Sequence, residues 1–171
     1  SYACQSAIIV CPVGGCEINC IASYACRYMT VYYEGELSDN GVMNITCSTG
    51  NNACYQTEIY ADYIDDITMT CQGGYSITSS SYPPCEYTQL NITYANNATI
   101  IIDDRYAATY FTINAQEADY VVLDAHEGYR GFYYSNLHAE NARKLVIYSQ
   151  SSSSSYYPLI ASNYYVGDDV E

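Results

Sequence analysis

A recurring phrase constrains the fold of this chain more than any other feature of its sequence. The opening "SYACQSAIIV" returns as "SYACRYMTV" around Cys26, as "NNACYQTEI" around Cys54 and as "YPPCEYTQL" around Cys85. Later copies lose the cysteine, with Ala108 in its place in "RYAATYFTI" and a weaker copy around Arg130. Self-similarity at intervals of about 20 to 30 residues is typical of stacked repeats. The fifth residue after each anchor is apolar and predicts an inward column of Ile9, Val31, Ile59, Leu90 and Ile113.

A second phrase alternates with the first. Short β-branched runs end at Cys20 ("EINC"), Cys47 ("NITC") and Cys71 ("TMTC"), and we interpret "IIID" and "VVLD" as later copies with Asp103 and Asp124 in the cysteine place. No segment of useful length has helical periodicity, so the chain is predicted to consist of short strands and turns. The runs predict a second inward column of Ile18, Ile45, Met69, Ile101 and Val122.

Columns of equivalent residues favour a parallel β-helix, in which each coil buries its apolar face against its neighbours. We predict six or seven coils. A leucine-rich repeat would need more leucines, and a propeller blade would be longer. A β-sandwich is the alternative, because short strands at regular spacing also describe it. The prediction is one domain over residues 1–165, Cys-rich in 1–85 and Cys-free in 86–165, with an acidic tail at 166–171.

Cysteine content and charge indicate the compartment and exclude several partners. Nine cysteines beside only five Lys and Arg residues indicate a secreted protein in an oxidising environment, extracellular or at the cell surface. Zinc binding is disfavoured because the chain has no CxxC pair and only two histidines. A formal charge of −14 argues against nucleic acid and anionic membrane surfaces. No apolar stretch approaches the roughly 20 residues of a membrane span, so we expect no membrane insertion.

The cysteine spacing also resembles a known pattern. The run of cysteines from Cys4 to Cys26, with "CP" at Cys11 and "EINC" at Cys20, recurs in part as "ITC" at Cys47 with the next cysteine seven residues later. It is similar to the cysteine-patterned repeats of large β-helix proteins secreted by unicellular eukaryotes, over residues 1–85. The resemblance implies a right-handed parallel β-helix on an extracellular protein. It carries over no catalytic residue, because that motif is structural.

In each complete copy a strand-ending cysteine precedes the next anchor across a short turn. A rival scheme joins the columns instead, for example Cys20 to Cys47 and Cys4 to Cys26. In the local scheme Cys4 is left over, either as a free thiol or with its partner upstream of Ser1. The local spacing predicts the disulfides Cys11–Cys16, Cys20–Cys26, Cys47–Cys54 and Cys71–Cys85.

The acidic pairs offer little support for catalysis. "DDR" at Asp103 to Arg105 has two carboxylates that would activate a water, as in glycoside hydrolysis. However, the Gly-His-Gly and Arg-Ile-Lys motifs of polygalacturonases are absent, and a lyase would need a base, usually beside calcium. We therefore predict no enzyme activity and no required cofactor. Calcium is the ion that fits best, on the hard oxygen ligands of Asp65, Asp66, Asp103 and Asp104.

Three N-x-S/T sequons begin at Asn44, Asn91 and Asn97. Asn44 precedes inward Ile45 and Asn91 follows inward Leu90, so strand alternation directs both asparagines outward. Asn97 lies in the predicted turn "YANNAT". We predict N-linked glycans on at least two of the three.

Two classes of function follow. The first is a structural, self-associating subunit of an extracellular glycoprotein filament, flagellar hair or matrix. Neither end of the repeat array has an evident cap, so copies are expected to stack head to tail into a homopolymer. The alternative is a polysaccharide-binding or polysaccharide-cleaving β-helix. It would show polar and aromatic residues in one groove across several coils, whereas the 23 tyrosines show no such focus in the sequence.

Overall fold

All regular secondary structure in the described part of the chain is β-strand. The computed structural model describes residues 3–36, 39–48, 52–73, 83–103, 107–125, 132–149 and 163–166. In this part of the chain no helix is long and apolar enough to cross a membrane. The strands are β1 (Ile8–Cys11), β2 (Gly15–Ile21), β3 (Thr30–Glu34), β4 (Val42–Ser48), β5 (Glu58–Asp62), β6 (Ile64–Gln72), β7 (Gln89–Asp103), β8 (Thr112–Ala125), β9 (Asn136–Ala139), β10 (Lys144–Ser149) and β11 (Asn163–Val166).

The strands stack into two parallel ladders. The first ladder contains β1, β3, β5, the first parts of β7 and β8, then β9 and β11. The second contains β2, β4, β6, the second parts of β7 and β8, and β10. Each coil therefore contributes one strand to each ladder, which is a parallel β-solenoid rather than a sandwich. The first ladder contains seven described strands and the second six, which complete about five turns. The acidic tail lies almost wholly outside the described residues.

A turn closes each coil on its third side. Backbone hydrogen bonds connect successive turns: the Cys26 amide donates to the Ala3 carbonyl at 2.9 Å, and the Cys85 amide to the Ala107 carbonyl at 2.9 Å. Parallel backbone pairing between neighbouring coils therefore continues from the ladders into the turns. The residue two positions after each anchor is left-handed, with φ of 54° at Ser6, 59° at Tyr28, 52° at Gln56, 57° at Tyr87, 55° at Tyr110 and 54° at Tyr134.

The first predicted column is confirmed. Ile9, Val31, Ile59, Leu90 and Ile113 occupy one register position of the first ladder, and Leu137 extends the column. The residues from Val31 onward in this column are almost completely buried. The last anchor is therefore Phe132, five residues before Leu137, and not a position at Arg130.

The second predicted column is correct for its first three residues and wrong for the last two. Ile18, Ile45 and Met69 align, but Met69 pairs with Ile100, which pairs with Leu123. The predicted Ile101 and Val122 are each displaced by one residue and face outward. Consecutive apolar residues in "TIIID" and "VVLDA" hide the alternation that reveals which side chains point inward. For the same reason the cysteine place is filled by Ile102 and Ala125, and not by Asp103 and Asp124.

Four disulfides cross the corners of the first coils. Cys20, Cys47 and Cys71 occupy one register position of the second ladder, and each bonds to the anchor of the following turn. Cys4 is free and exposed, and the rival scheme between columns is not formed. The bonds are Cys11–Cys16, Cys20–Cys26, Cys47–Cys54 and Cys71–Cys85.

Candidate ligand-binding groove

The outer face of the first ladder carries a groove of about 660 Å³. Its axis follows four successive strands, β3, β5, β7 and β8, each of which contributes the outward residue next to the inward column. Strand alternation places these side chains on the solvent side, about 4.8 Å apart along the stack. They are Tyr32, Tyr60, Asn91 and Asn114.

Two tyrosines form the aromatic end of the groove. The rings of Tyr32 and Tyr60 stack with their centroids 5.4 Å apart and an interplanar angle of 13°. The Tyr60 hydroxyl donates a hydrogen bond to Glu58 Oε2 at 3.0 Å. This hydrogen bond raises the pKa of Tyr60, and partial burial adds to the shift. The phenol therefore stays protonated at neutral pH and presents an uncharged, fixed ring to the groove.

Two amides continue the same row. Asn114 Nδ2 donates to Asn91 Oδ1 at 2.7 Å, and Asn91 Nδ2 donates to the Ile59 carbonyl at 3.4 Å. A carboxamide has two N–H donors and one accepting oxygen. The hydrogen bonds orient both amides, and each still has capacity to bind a hydroxyl-rich ligand.

Carboxylates line the edge of the groove. Glu34 and Asp62 are adjacent in the ladder, and Thr93 Oγ1 donates a hydrogen bond to Asp62 Oδ1. Glu117 lies on the same edge, and the lining residues include no Lys or Arg. The groove is therefore acidic and would repel a polyanion, whereas hydroxyl groups would find strong acceptors.

Tyr33 fills the space beneath the groove. Its ring is buried, and burial, followed by the charge of Asp39, raises the pKa of its hydroxyl. A Cβ atom at Gly41 would lie 1.9 Å from the Tyr33 hydroxyl oxygen, and Gly35 is almost as close to the ring. The two glycines in the loop after β3 are thus required for the packing of Tyr33.

A second aromatic feature lies on the third side of the solenoid. The rings of Tyr28, Tyr55, Tyr87, Tyr110 and Tyr134 follow one another from turn to turn, and we call them the tyrosine column. Neighbouring centroids are 5.9, 5.8, 4.9 and 5.4 Å apart. Tyr55 stands one residue before left-handed Gln56 and brings a ring into the gap that Gln56 would leave. The column is therefore continuous over five coils.

Two ionisable groups lie beside the tyrosine column. The Arg27 guanidinium carbon is 4.5 Å from the Tyr28 ring centroid and 5.0 Å from that of Tyr55, distances typical of cation–π contacts. Glu86 is buried, and its Oε2 atom has no hydrogen-bond partner among the described residues. Burial raises the pKa of Glu86 to about 7. Neither Arg27 nor Glu86 is among the residues that line the groove.

The described acidic residues predicted to bind calcium are hydrogen-bonded to amides of a neighbouring coil. Asp65 Oδ1 accepts from Asn96 Nδ2 at 2.5 Å, and Asp103 Oδ2 accepts from Gln72 Nε2 at 2.8 Å. Asp66 is held in the same way by Asn97, and Asp104 lies outside the described residues. Calcium binding stays a prediction. These bonds show that the coils align the acids with amide partners.

One group of three potential metal-ligating atoms within 4.8 Å of one another occurs among the described residues. It consists of the Sγ atoms of Cys20, Cys47 and Cys54. Cys20 is bonded to Cys26, and Cys47 is bonded to Cys54. Disulfide sulfurs are not thiolates, so this group is a stack of two disulfides and not a metal site.

The three sequons lie on β-strands, and the predicted turn at Asn97 is wrong because this residue lies within β7 and pairs with Asp66. Asn44 and Asn97 are exposed on the second ladder, where Asn97 Nδ2 contacts Asp66. Asn91 is half-buried in the groove, together with Thr93 of the same sequon. Sequence reasoning missed the groove, although its signal was present: the residue after each member of the first column reads Tyr32, Tyr60, Asn91 and Asn114. Glycosylation of the three asparagines stays a prediction.

Comparison of the chain with protein-family models, curated proteins and solved structures finds no match. The resemblance to cysteine-patterned secreted proteins therefore stays an expectation from the sequence. Any functional proposal for this chain has to rest on its own residues.

Proposed function

We propose that this protein is an extracellular β-solenoid that binds a neutral polysaccharide in the groove of the first ladder. The observation that supports it is the row formed by stacked Tyr32 and Tyr60 and the paired amides of Asn91 and Asn114. Aromatic rings pack against the C–H faces of sugars, and amides and carboxylates bind their hydroxyls, which is the usual division of labour in a ligand site.

The shape and charge of the groove define the ligand further. Equivalent side chains repeat about every 4.8 Å along the stack, which is comparable to the length of one unit in an extended polysaccharide. Glu34, Asp62 and Glu117 disfavour uronic-acid polymers and accept hydrogen bonds from neutral sugars. The four disulfides suggest an oxidising, extracellular environment, where such polymers occur.

Affinity electrophoresis and calorimetry with soluble neutral polysaccharides test the proposal. The variant Tyr32→Ala/Tyr60→Ala is expected to lose most of its affinity. The control Tyr120→Ala/Tyr148→Ala removes two exposed tyrosines outside the groove and is expected to bind normally. Circular dichroism verifies that both variants fold. Equal losses in the two variants, or a parent protein that binds no neutral polysaccharide, would refute the proposal.

The second candidate is a structural subunit of a glycoprotein filament, flagellar hair or matrix, assembled head to tail. It is favoured by exposed apolar residues on the first described coil, where Ile8, Val10 and Val13 are 73%, 69% and 70% exposed. Contiguous exposed apolar surface commonly marks an association site. Strand pairing between copies would then extend both parallel ladders.

Negative-stain microscopy and sedimentation velocity test the filament. The parent protein is expected to form fibres at high concentration, and Ile8→Lys/Val10→Lys to remain dispersed. A control with Tyr120→Lys, which lies on β8 inside the second ladder and is 41% exposed, should still form fibres. A parent protein that stays monomeric at high concentration would exclude this candidate and leave the binding proposal untouched.

A further inference from the structure

The tyrosine column differs along its length in geometry and in charge. Tyr87 and Tyr110 are stacked at 4.9 Å with an interplanar angle of 2°, and Tyr110 and Tyr134 at 5.4 Å and 9°. Tyr28 and Tyr55 are perpendicular, at 5.9 Å and 78°. The three stacked rings are 41%, 41% and 42% exposed. The three stacked rings therefore present a continuous row of phenols to solvent.

We propose that Tyr87, Tyr110 and Tyr134 form a modification site at which two copies of this chain are joined by oxidative phenol coupling. The oxidant is a one-electron acceptor, such as a heme peroxidase supplied with hydrogen peroxide. The inference does not depend on polysaccharide binding, because the column and the groove are on different sides of the solenoid.

The other end of the column is covered. The Arg27 guanidinium carbon is 4.5 Å from the Tyr28 ring centroid and 5.0 Å from that of Tyr55. Tyr55 is buried, with only 9% of its surface exposed. Because coupling requires two rings to meet, the covered end is a poorer coupling site than the three exposed, stacked rings.

The coupling step balances as follows. Each of two phenols gives one electron to the oxidant and its hydroxyl proton to water, which leaves two neutral phenoxyl radicals. A carbon–carbon bond forms between ring carbons ortho to the oxygens, and the hydrogen on each joined carbon moves to its oxygen. One molecule of hydrogen peroxide accepts the two electrons and two protons and becomes two molecules of water.

The geometry favours coupling between copies over coupling within one column. The stacked rings of Tyr87 and Tyr110 face each other, whereas the new bond requires two rings to meet edge to edge. Their exposed edges are open to a second copy of the chain. The formal charge of −14 repels that copy, and salt screens the repulsion. We therefore expect the yield of covalent dimer to rise with ionic strength.

The experiment uses the purified chain with a heme peroxidase and hydrogen peroxide, and repeats the reaction with a photochemical one-electron oxidant that needs no enzyme docking. Covalent dimer is measured on reducing denaturing gels and by dityrosine fluorescence, and the joined peptides by mass spectrometry. The variant Tyr87→Phe/Tyr110→Phe/Tyr134→Phe keeps the stacked rings and removes the phenols. The control Tyr63→Phe/Tyr120→Phe/Tyr148→Phe removes tyrosines that are 42%, 41% and 54% exposed outside the column.

The expected result is loss of most of the dimer in the first variant, little change in the control, and joined peptides that contain Tyr87, Tyr110 or Tyr134. Arg27→Gln is expected to extend coupling to Tyr28. Equal losses in both triple variants, or joined peptides concentrated on any other tyrosine of the chain, would overturn the proposal.

Discussion

The first coils and the later coils differ at the corner between the second ladder and the following turn. In the first coils the end of each second-ladder strand bonds covalently to the next turn, as in Cys71–Cys85. One coil later the equivalent places are taken by Ile102 and Ala108, both fully buried. In the following coil they are taken by Ala125 and Phe132, one small and one large buried side chain. Buried apolar residues therefore occupy the places of the disulfide cysteines in the later coils.

The backbone of the turns also differs along the chain. In the second and third turns three alternate residues are left-handed, as at Asn52, Cys54 and Gln56. In the turn at Cys85 and in the later turns only the last of the three is, for example Tyr110. A non-glycine residue in this region costs about 1 kcal/mol or more. The second and third turns therefore contain more backbone strain than the later ones. The change does not follow the disulfides, because the turn at Cys85 is disulfide-bonded and has one left-handed residue, Tyr87.

The largest expected effect is in the coil without cysteine. Phe132→Ala empties the position that replaces a disulfide and is expected to reduce the free energy of unfolding by about 3–5 kcal/mol. Denaturant unfolding followed by circular dichroism measures it. Phe132→Leu keeps most of the volume and should cost less than about 1.5 kcal/mol. A small effect of Phe132→Ala would show that apolar packing does not replace the disulfide.

Removal of the last disulfide is the next largest effect. Cys71→Ala/Cys85→Ala opens a loop with a sequence separation of 14 and is expected to reduce the free energy of unfolding by about 3 kcal/mol. Cys4→Ala removes a free, exposed thiol and should change nothing measurable. A double variant as stable as the Cys4 control would mean that the apolar neighbours alone hold this corner.

The reverse substitution, of buried apolar residues by cysteines, tests the same equivalence. Ile102→Cys/Ala108→Cys places two thiols one coil above Cys71–Cys85, and we expect a fifth disulfide. Thiol titration of the denatured, unreduced protein should give one thiol, from Cys4, and three if the bond fails to form. The oxidised variant should exceed its reduced form by about 2–3 kcal/mol. Three titratable thiols would contradict the equivalence of the two corners.

The sequence predicted the features that depend on spacing. The first inward column and the local disulfides follow from an anchor that recurs at a fixed distance before one apolar residue. The solenoid itself follows because like residues stack above like. These features depend only on spacing along the sequence, so they can be predicted without knowing the strand register.

The features that depend on strand register were predicted less well. Ile101 and Val122 were placed inward because runs of apolar residues carry no alternation, and only pairing with Met69 identifies Ile100 as the inward residue. The groove was missed because its row combines two tyrosines with two asparagines. These have no composition in common, and the ladder alone brings them together.

A smaller effect is expected at the boundary between the two regions, where Glu86 follows the last disulfide. Its carboxyl group has a pKa of about 7 in the fold and about 4.5 in the unfolded chain. Between these values the folded protein binds more protons, so this group stabilises least at high pH. Its contribution should fall by about 3 kcal/mol as the pH rises through this window. Denaturant unfolding at several pH values measures the change.

Glu86→Gln is the control, because its amide cannot ionise. The difference in stability between the parent protein and this variant should grow from low to neutral pH, in favour of the variant. Other carboxylates titrate equally in both proteins and cancel. A difference that is independent of pH would show that Glu86 ionises normally in the fold.

The smallest expected effect compares one backbone position in the two regions. Gln56 and Tyr110 are both left-handed and exposed, with φ of 52° and 55°. Gln56→Gly relieves the side-chain penalty and loses some entropy, so it should stabilise the protein by about 0.5–1 kcal/mol. Tyr110→Gly relieves the same strain but loses two stacking contacts, each worth about 0.5–1.5 kcal/mol, and should destabilise it. Thermal unfolding of the two variants gives the signs. Two stabilising substitutions would mean that the tyrosine column contributes nothing to the fold, and two destabilising ones that the left-handed turns are unstrained.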